Sequence, residues 1–203
     1  MSPSSLAQKS RKLISWLVGT ALGTFIAVSQ SRWSGSGLAG HLFFSVGLIL
    51  VGAAAVGRLW CSLYIGGYKT GTLVTTGPYS VCRHPLYGFS FLGGIGIGLC
   101  TETLTLTVVI AGAFLLYYPF VIRAEERKLL EIHGEAFRRY VETTPRLWPA
   151  WAQLDEPRLY LVQPQCFRRG ALEVIWFIWL PALLVLVRAL QEHHMLPLLF
   201  RLY

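Results

Sequence analysis

The chain has 203 residues, of which 54% are hydrophobic and 14% are charged, and its formal net charge is +8. Soluble domains carry about 25% charged residues, so this composition excludes an ordinary water-soluble domain and favours a single membrane-embedded unit. A net positive charge is also typical of proteins that bind nucleic acid, so the positions of the basic residues decide what the charge means here.

Five apolar segments are long enough, or nearly so, to cross a bilayer, which takes about 20 residues. They are Leu13–Ser29, Leu38–Trp60, Leu86–Cys100, Leu104–Ile122 and Leu172–Leu190. The first follows the basic sequence QKSRK but lacks the small-residue cleavage site of a secretory signal, so we interpret it as a membrane anchor. The third is short and rich in glycine. We expect it to form a tight hairpin with the fourth around the sequence TETLT, because small residues let two helices approach closely.

The basic residues orient the predicted spans. If the N-terminus lies inside, every Lys and Arg except Arg32, Arg188 and Arg201 falls on or near the inner side. The positive-inside rule therefore predicts a multi-pass integral membrane protein with its N-terminus in the cytoplasm and its C-terminus outside. Topology and anionic lipid headgroups then account for the net charge, and no nucleic-acid partner is expected.

The cysteine and histidine residues do not indicate a metal site. Cys61, Cys82, Cys100 and Cys166 show no CxxC or other ligand spacing, so we interpret them as free, mostly structural thiols. The pair His193-His194 has no cysteine or carboxylate partner in a ligand pattern and fits a solvated tail.

The first unusual inner segment runs from Arg58 to Tyr87 and reads RLWCSLYIGGYKTGTLVTTGPYSVCRHPLY. Its glycines interrupt a helix, TGPY is a turn sequence, and Pro85 moves His84 out of helical geometry. Irregular backbone at membrane depth must be buried in protein or line a cavity, because each unpaired amide in lipid costs several kcal/mol. An arbitrary loop would only connect two helices, but this density of Tyr, Arg and His favours a binding wall.

The second unusual segment runs from Tyr117 to Pro149 and predicts an amphipathic helix on the inner membrane surface. Its apolar positions at helical spacing are Leu129, Ile132, Ala136 and Tyr140. Glu125 lies on the same stripe, so we expect its carboxylate to be paired or directed into a cavity. Arg123 and Glu126 are spaced as an ordinary surface ion pair, but at the membrane end of a span we interpret Glu125 and Glu126 as functional.

The predicted hairpin brings the two segments together. RHPLY opens the third span from the inside, and RAEE closes the fourth span on the same side. We therefore expect Arg83, His84 and Tyr87 to face Arg123, Glu125 and Glu126. Cations, carboxylates and aromatic rings at one membrane mouth suit a zwitterionic small molecule beside a lipidic one.

The paired motifs resemble those of the isoprenylcysteine carboxyl methyltransferases and the related phospholipid N-methyltransferases. The matching positions are Gly77, Tyr79, Arg83, His84, Pro85 and Tyr87, then Glu125, Glu126, Leu129, Gly134, Tyr140, Pro145, Arg146 and Pro149. The likeness covers roughly residues 58–149. Phe137 departs from it, since some members have tyrosine at this position.

The resemblance implies an all-α membrane protein of about five transmembrane helices, with a tight helical hairpin and an inner-face amphipathic helix that caps a cofactor pocket. Residues 1–203 would form one domain, with a motif core at 58–149 and a C-terminal membrane helix at about 172–190. Its implied reaction transfers a methyl group from S-adenosylmethionine to a lipidic or apolar acceptor at the inner membrane face. The accepting group could be a carboxylate, an amine or a thiol.

The resemblance also implies roles for individual residues. The cofactor contacts would be Gly71, Thr72, Leu73, Val74, Tyr79, His84, Pro85, Leu86, Tyr87 and Glu125. Arg83 and Glu126 would be catalytic, and Arg123 would bind the substrate. Arg83 or Arg123 would position a carboxylate acceptor, whereas Glu126 would act as the base for an amine or a thiol.

Two other functions compete with this interpretation. Sterol-reductase-type membrane enzymes, which use NADPH, share an RHPxY-like element, but the Glu125-Glu126 pair favours the methyltransferase. The sequence GGIGIG lies inside an apolar span with no strand before it, so it indicates helix packing and not dinucleotide binding. The second competitor is a non-catalytic scaffold or small transporter, in which the polar cluster serves only topology and helix packing.

Overall fold

The computed structural model describes residues 23–31, 37–68 and 71–202. In chain order they form β1 (Ser29–Ser31), α1 (Leu38–Ile65), α2 (Pro78–Val81), α3 (Pro85–Cys100), α4 (Leu104–His133), α5 (Glu135–Thr143), a 3₁₀ turn (Trp151–Gln153), α6 (Pro164–Glu192) and β2 (Phe200–Leu202). Residues 23–28 are also helical. The helical class is thus confirmed. The sequence did not indicate the two short strands, which pair in parallel with Ser29 opposite Phe200.

Three helices, α1, α4 and α6, are long and apolar enough to cross a membrane, and α3 is a shorter apolar helix of 16 residues. These four correspond to the second to fifth predicted spans. Helix α4 continues beyond the predicted end of its span, and α6 begins before its predicted start. The first predicted span, Leu13–Ser29, lies mostly outside the described residues. The number of passes and their sidedness therefore stay predictions.

The predicted hairpin between the third and fourth spans is present, with only three residues between α3 and α4. Glycines set the packing of α3 against α1. A methyl group on Gly47 would lie 2.6 Å from the carbonyl oxygen of Gly96, and one on Gly96 would lie 2.8 Å from that of Gly47. Nearby, Gly93 faces the ring of Phe177. The sequence GGIGIG is therefore a helix-packing element.

The inner amphipathic helix departs from its prediction. Helix α4 runs unbroken through Ile122 to His133, and Gly134 at φ +51° separates it from α5. This positive φ changes the direction of the chain, so positions before and after Gly134 do not share one helical face. Ile132 and Ala136 are consequently exposed, and the buried apolar residues of α5 are Phe137 and Tyr140.

Candidate functional site

The RHP element, Arg83 to Pro85, is an extended connection between α2 and α3. Its backbone pairs with the segment that follows α5: the Arg83 amide donates to the Pro145 carbonyl at 2.8 Å, and the His84 amide donates to the Arg146 carbonyl at 3.1 Å. Pro85 then begins α3. The amides of Arg83 and His84 lie outside the helices, so they need partners from elsewhere in the chain. These hydrogen bonds supply them, because unpaired backbone groups are costly in or near a membrane.

Three further hydrogen bonds fix the turn before the RHP element. The Tyr140 hydroxyl of α5 donates to the Tyr79 carbonyl at 2.6 Å. The Gly77 amide donates to the Asp155 carbonyl at 2.7 Å, and the Asp155 amide donates to the Ser80 hydroxyl at 2.9 Å. The segment after Pro149, for which the sequence offered no motif, is therefore part of the support of the site.

Glu126 lies at the centre of the polar cluster. Its Oε1 is 3.1 Å from Nη1 of Arg83, 3.2 Å from Nε2 of His84 and 3.2 Å from Nε of Arg146. Nη2 of Arg146 also donates to the other oxygen, Oε2. The Glu126 side chain is only 12% exposed. Two guanidinium groups therefore compensate a largely buried carboxylate and favour its ionised form.

Glu125 has a different environment from its neighbour. The Tyr87 hydroxyl donates to Oε2 of Glu125 at 2.8 Å, and Nδ1 of His84 lies 3.8 Å from the same oxygen. The side chain is 41% exposed, and Oε1 has no partner among the described residues. Glu125 is thus paired, as the sequence indicated, and keeps one oxygen available for a ligand.

Burial sets the protonation of two other members of the site. It lowers the pKa of His84 below its usual 6.5, although Glu125 and Glu126 act in the opposite direction, so the imidazole is neutral at neutral pH. Burial also raises the pKa of Tyr79 well above its usual 10. The Tyr79 hydroxyl and Nε of Arg83 are buried without a hydrogen-bond partner in the described part of the chain.

An apolar cavity of about 540 Å³ adjoins the polar cluster. It lies between α3, α4, the end of α1 and residues 146–151. Its aromatic lining comprises Trp60, Tyr87, Phe89, Phe91, Phe114, Tyr118, Trp148 and Trp151. Pro85 and Arg146 also line it. Tyr87 and Arg146 therefore belong to both the cavity and the polar cluster.

The structure brings five of the thirteen predicted site residues together in the polar cluster. Arg83, His84, Tyr87, Glu125 and Glu126 meet through the contacts above. Val74 and Leu86 pack against the buried cluster of Cys61, Tyr64 and Tyr79. Gly71 and Thr72 are exposed, Leu73 is half-buried, and no hydrogen bond joins these three to the cluster within the described residues. Arg123 is exposed and pairs with no described residue, Glu126 included.

Sequence reasoning assigned no role to Arg146 or to the segment near residue 156. Arg146 matches a position of the second family motif, but the motif does not indicate that its partner is Glu126. Glu156 accepts a hydrogen bond from Nε1 of Trp60 at 2.9 Å, and the Tyr160 hydroxyl donates to the Tyr64 carbonyl at 2.7 Å. No spacing rule links residues this far apart in the chain, so only the tertiary contacts reveal them.

Comparison with known proteins relates the chain to a family and to two named proteins. A family model described as phospholipid methyltransferase matches residues 37–136, a range that holds the RHP element and the Glu125-Glu126 pair. The chain is 41% identical over 190 residues to the cobalt-zinc-cadmium resistance protein CzcN of Cupriavidus metallidurans, covering 89% of this chain and 87% of that protein. It is 39% identical over 172 residues to the nickel-cobalt-cadmium resistance protein NccN of Alcaligenes xylosoxydans xylosoxydans, covering 85% of this chain and 80% of that protein. No solved structure matches significantly. The two relatives, at 41% and 39% identity over at least 80% of each chain, show that this chain belongs to one family with them, and residues 37–136 match the phospholipid methyltransferase model.

Proposed function

We propose that the chain is a membrane methyltransferase that transfers a methyl group from S-adenosylmethionine to an apolar or lipidic acceptor. The observation that supports this most directly is the polar cluster around Glu126, which shares Tyr87 and Arg146 with an apolar cavity of about 540 Å³. This arrangement allows a charged cofactor and an apolar acceptor to lie side by side.

The residues present fit the proposed cofactor. Glu125 keeps a free carboxylate oxygen that can hold an ammonium group, and Nε of Arg83 is a buried donor without a described partner that can hold a carboxylate. The Tyr79 hydroxyl is a second such donor, and the ring of Tyr87 can lie against a cationic sulfur. When bound, S-adenosylmethionine supplies the methyl group.

The chain contributes alignment and electrostatics to such a reaction. Methyl transfer is a direct displacement at carbon, and orientation alone contributes on the order of 7–11 kcal/mol in the best intramolecular cases. Glu126, held by two arginines, is a weak base, so we assign it to positioning Arg83 and His84. A carboxylate acceptor would need no base, so Glu125 could remain the ligand of the cofactor's ammonium group.

The direct test uses purified protein in lipid nanodiscs. We expect calorimetry to detect binding of S-adenosylmethionine and of its demethylated product, and labelled S-adenosylmethionine to yield a methylated lipid-soluble product from bacterial membrane extract. Binding of NADPH alone would instead identify a reductase. Absence of binding for all three ligands would favour a non-catalytic scaffold.

Two substitutions test the site itself. We expect Glu126→Gln and Arg83→Ala each to abolish cofactor binding or turnover. The first change leaves the buried Arg83 without its carboxylate, and the second removes the buried donor Nε that we assign to the cofactor's carboxylate. Glu131→Gln and Arg127→Ala are matched controls on exposed positions of the same region and should behave like the wild type. Normal binding and turnover in both cluster variants would contradict the site assignment while leaving the family unaffected.

The names of the two relatives suggest a physiological setting. Both are named as resistance proteins for divalent metals, cobalt and cadmium among them. We propose that methyl transfer by this chain contributes to tolerance of these metals. In a host lacking the gene, the wild-type chain should raise growth in cadmium and cobalt above that supported by Glu126→Gln. Equal growth with both forms, at equal membrane abundance, would refute this setting.

A further inference from the structure

Arg146 lies where the polar cluster around Glu126 adjoins the apolar cavity. Nε and Nη2 of its guanidinium bind the two oxygens of Glu126, so one edge of the planar group is fixed. The backbone carbonyl of the same residue accepts the His84 amide. Arg146 is therefore held in place from both its main chain and its side chain.

The remaining edge of the guanidinium is unused. Nη1 of Arg146 has no hydrogen-bond partner among the described residues, and the side chain is 47% exposed. An arginine presents five N–H donors in a rigid fork, so pairing one edge with a carboxylate leaves donors for a second oxygen ligand. Arg146 is also the only charged residue among those that line the apolar cavity in the described structure.

The free edge of the guanidinium favours a negatively charged oxygen ligand. Arg83 and Arg146 balance the charges of Glu125 and Glu126, and the buried His84 is neutral. The orientation of the unused N–H donors, and not an excess of positive charge, therefore favours an anion at this edge. The cavity volume of about 540 Å³ falls within the range of sites that enclose a single small molecule, and its lining is almost wholly apolar. An occupant that matches both features has one hydrocarbon chain and an anionic head.

We propose that Arg146 is a specificity-determining residue that anchors the anionic head of a single-chain amphiphile, whose chain fills the aromatic cavity. This inference rests on the proposed function, because it takes this amphiphile to be the class of methyl acceptor. Arg146 thereby connects the acceptor head to Glu126, and through Glu126 to Arg83 and His84.

The test measures binding with two probes of equal chain length, chain-brominated hexadecyl phosphate and chain-brominated hexadecanol. Bromine quenches tryptophan fluorescence on contact, and Trp60, Trp148 and Trp151 line the cavity. In uncharged nanodiscs, we expect the wild-type protein to bind the phosphate at least about tenfold more tightly than the alcohol, because hydrogen bonds to charged groups are the stronger ones. Arg146→Gln should reduce this preference to within about twofold and leave the affinity for the alcohol nearly unchanged.

Two further variants separate the proposal from a merely structural role. Arg146→Lys keeps the charge but loses the fork, so its preference should be intermediate. Arg139→Gln removes an exposed arginine outside the cavity and should keep the full preference. The proposal would be overturned if Arg146→Gln kept the preference for the phosphate, or if Arg139→Gln lost it equally. It would also be overturned if Arg146→Gln lost affinity for both ligands in parallel while Arg146→Lys kept the full preference.

The outcome is independent of the methyl donor. A preference for the anion without any S-adenosylmethionine-dependent transfer would contradict the proposed function but leave Arg146 as a residue that binds the anionic head. Methyl transfer without a preference for the anion would contradict only the assignment of Arg146.

Discussion

At the scale of the residue, the pairing of individual charged side chains determines which groups of the site are available. A carboxylate as little exposed as Glu126 is costly unless it is paired and hydrogen-bonded, and Arg83, His84 and Arg146 provide that compensation. Glu125 is adjacent in sequence but retains a free oxygen. Two neighbouring carboxylates thus differ in availability because of their surroundings.

A pH dependence follows from His84. Because burial lowers its pKa below 6.5, the unfolded chain binds more protons than the folded chain just below that pH, so stability is full above about pH 6.5 and falls as the pH drops. His84→Gln, which can still donate to Glu126, should weaken this loss. Thermal unfolding in detergent between about pH 8 and pH 5 measures it, with the exposed His193→Gln as control. An identical acid slope in wild type and His84→Gln would contradict the assignment.

Glycine positions decide the packing at the scale of the element. Helices α1 and α3 approach so closely at Gly47 and Gly96 that neither position has room for a methyl group. Gly134 has a different role, because its positive φ ends α4 and starts α5 in a new direction. Through that change of direction, α5 and the following segment return to the RHP element.

Gly47 and Gly52 of α1 provide a matched pair for testing this packing. We expect Gly47→Ala to lower the free energy of unfolding by about 1–3 kcal/mol, because the new methyl group meets backbone atoms of Gly96 and Cys100. Gly52→Ala lies in the same helix with no heavy atom within 4 Å, and should be neutral or stabilising by up to about 1 kcal/mol. Unfolding in denaturant would distinguish them, and equal effects would refute the close contact.

At the scale of the whole molecule, polar contacts join the helices at both of their ends. At the end that carries the candidate site, the segment after α5 and residues near Asp155 support the polar cluster. At the opposite end of the helices, Nη1 of Arg188 in α6 lies 2.6 Å from Oε1 of Glu102 in the hairpin turn, and its guanidinium stacks on the ring of Phe44 in α1 at 5.2 Å. This clamp joins three helices at a distance from the chemistry.

Breaking the clamp should affect stability and not the site. We expect Arg188→Ala to cost about 3–5 kcal/mol, because Glu102 is buried and would lose its compensating charge. Arg169→Ala removes an exposed arginine from the same helix and should change little. A scan of thermal unfolding compares the two, and cofactor affinity of the surviving folded Arg188→Ala should equal that of the wild type. A reduced affinity would contradict the independence of the two ends.

The sequence by itself determined the helical class, the α3–α4 hairpin and the meeting of the RHP element with the Glu125-Glu126 pair. These features depend on apolar length, on turn residues and on chain direction across a short hairpin, all of which are local. The partners of Glu126 were predicted only in part, because the hairpin placed Arg83 opposite it but gave no indication of the pairing with Arg146.

Only the tertiary structure decided that pairing, the apolar cavity beside it and the support from residues near Asp155. Each depends on the path of the chain after Gly134, where one backbone angle redirects the following helix and brings residue 146 back to residue 126. A helical stripe drawn through that glycine joined Ile132 and Ala136 on one face, whereas in the structure they lie in two helices that meet at the turn. Interactions between distant residues follow from such changes of direction, and a periodic pattern carries no information about them.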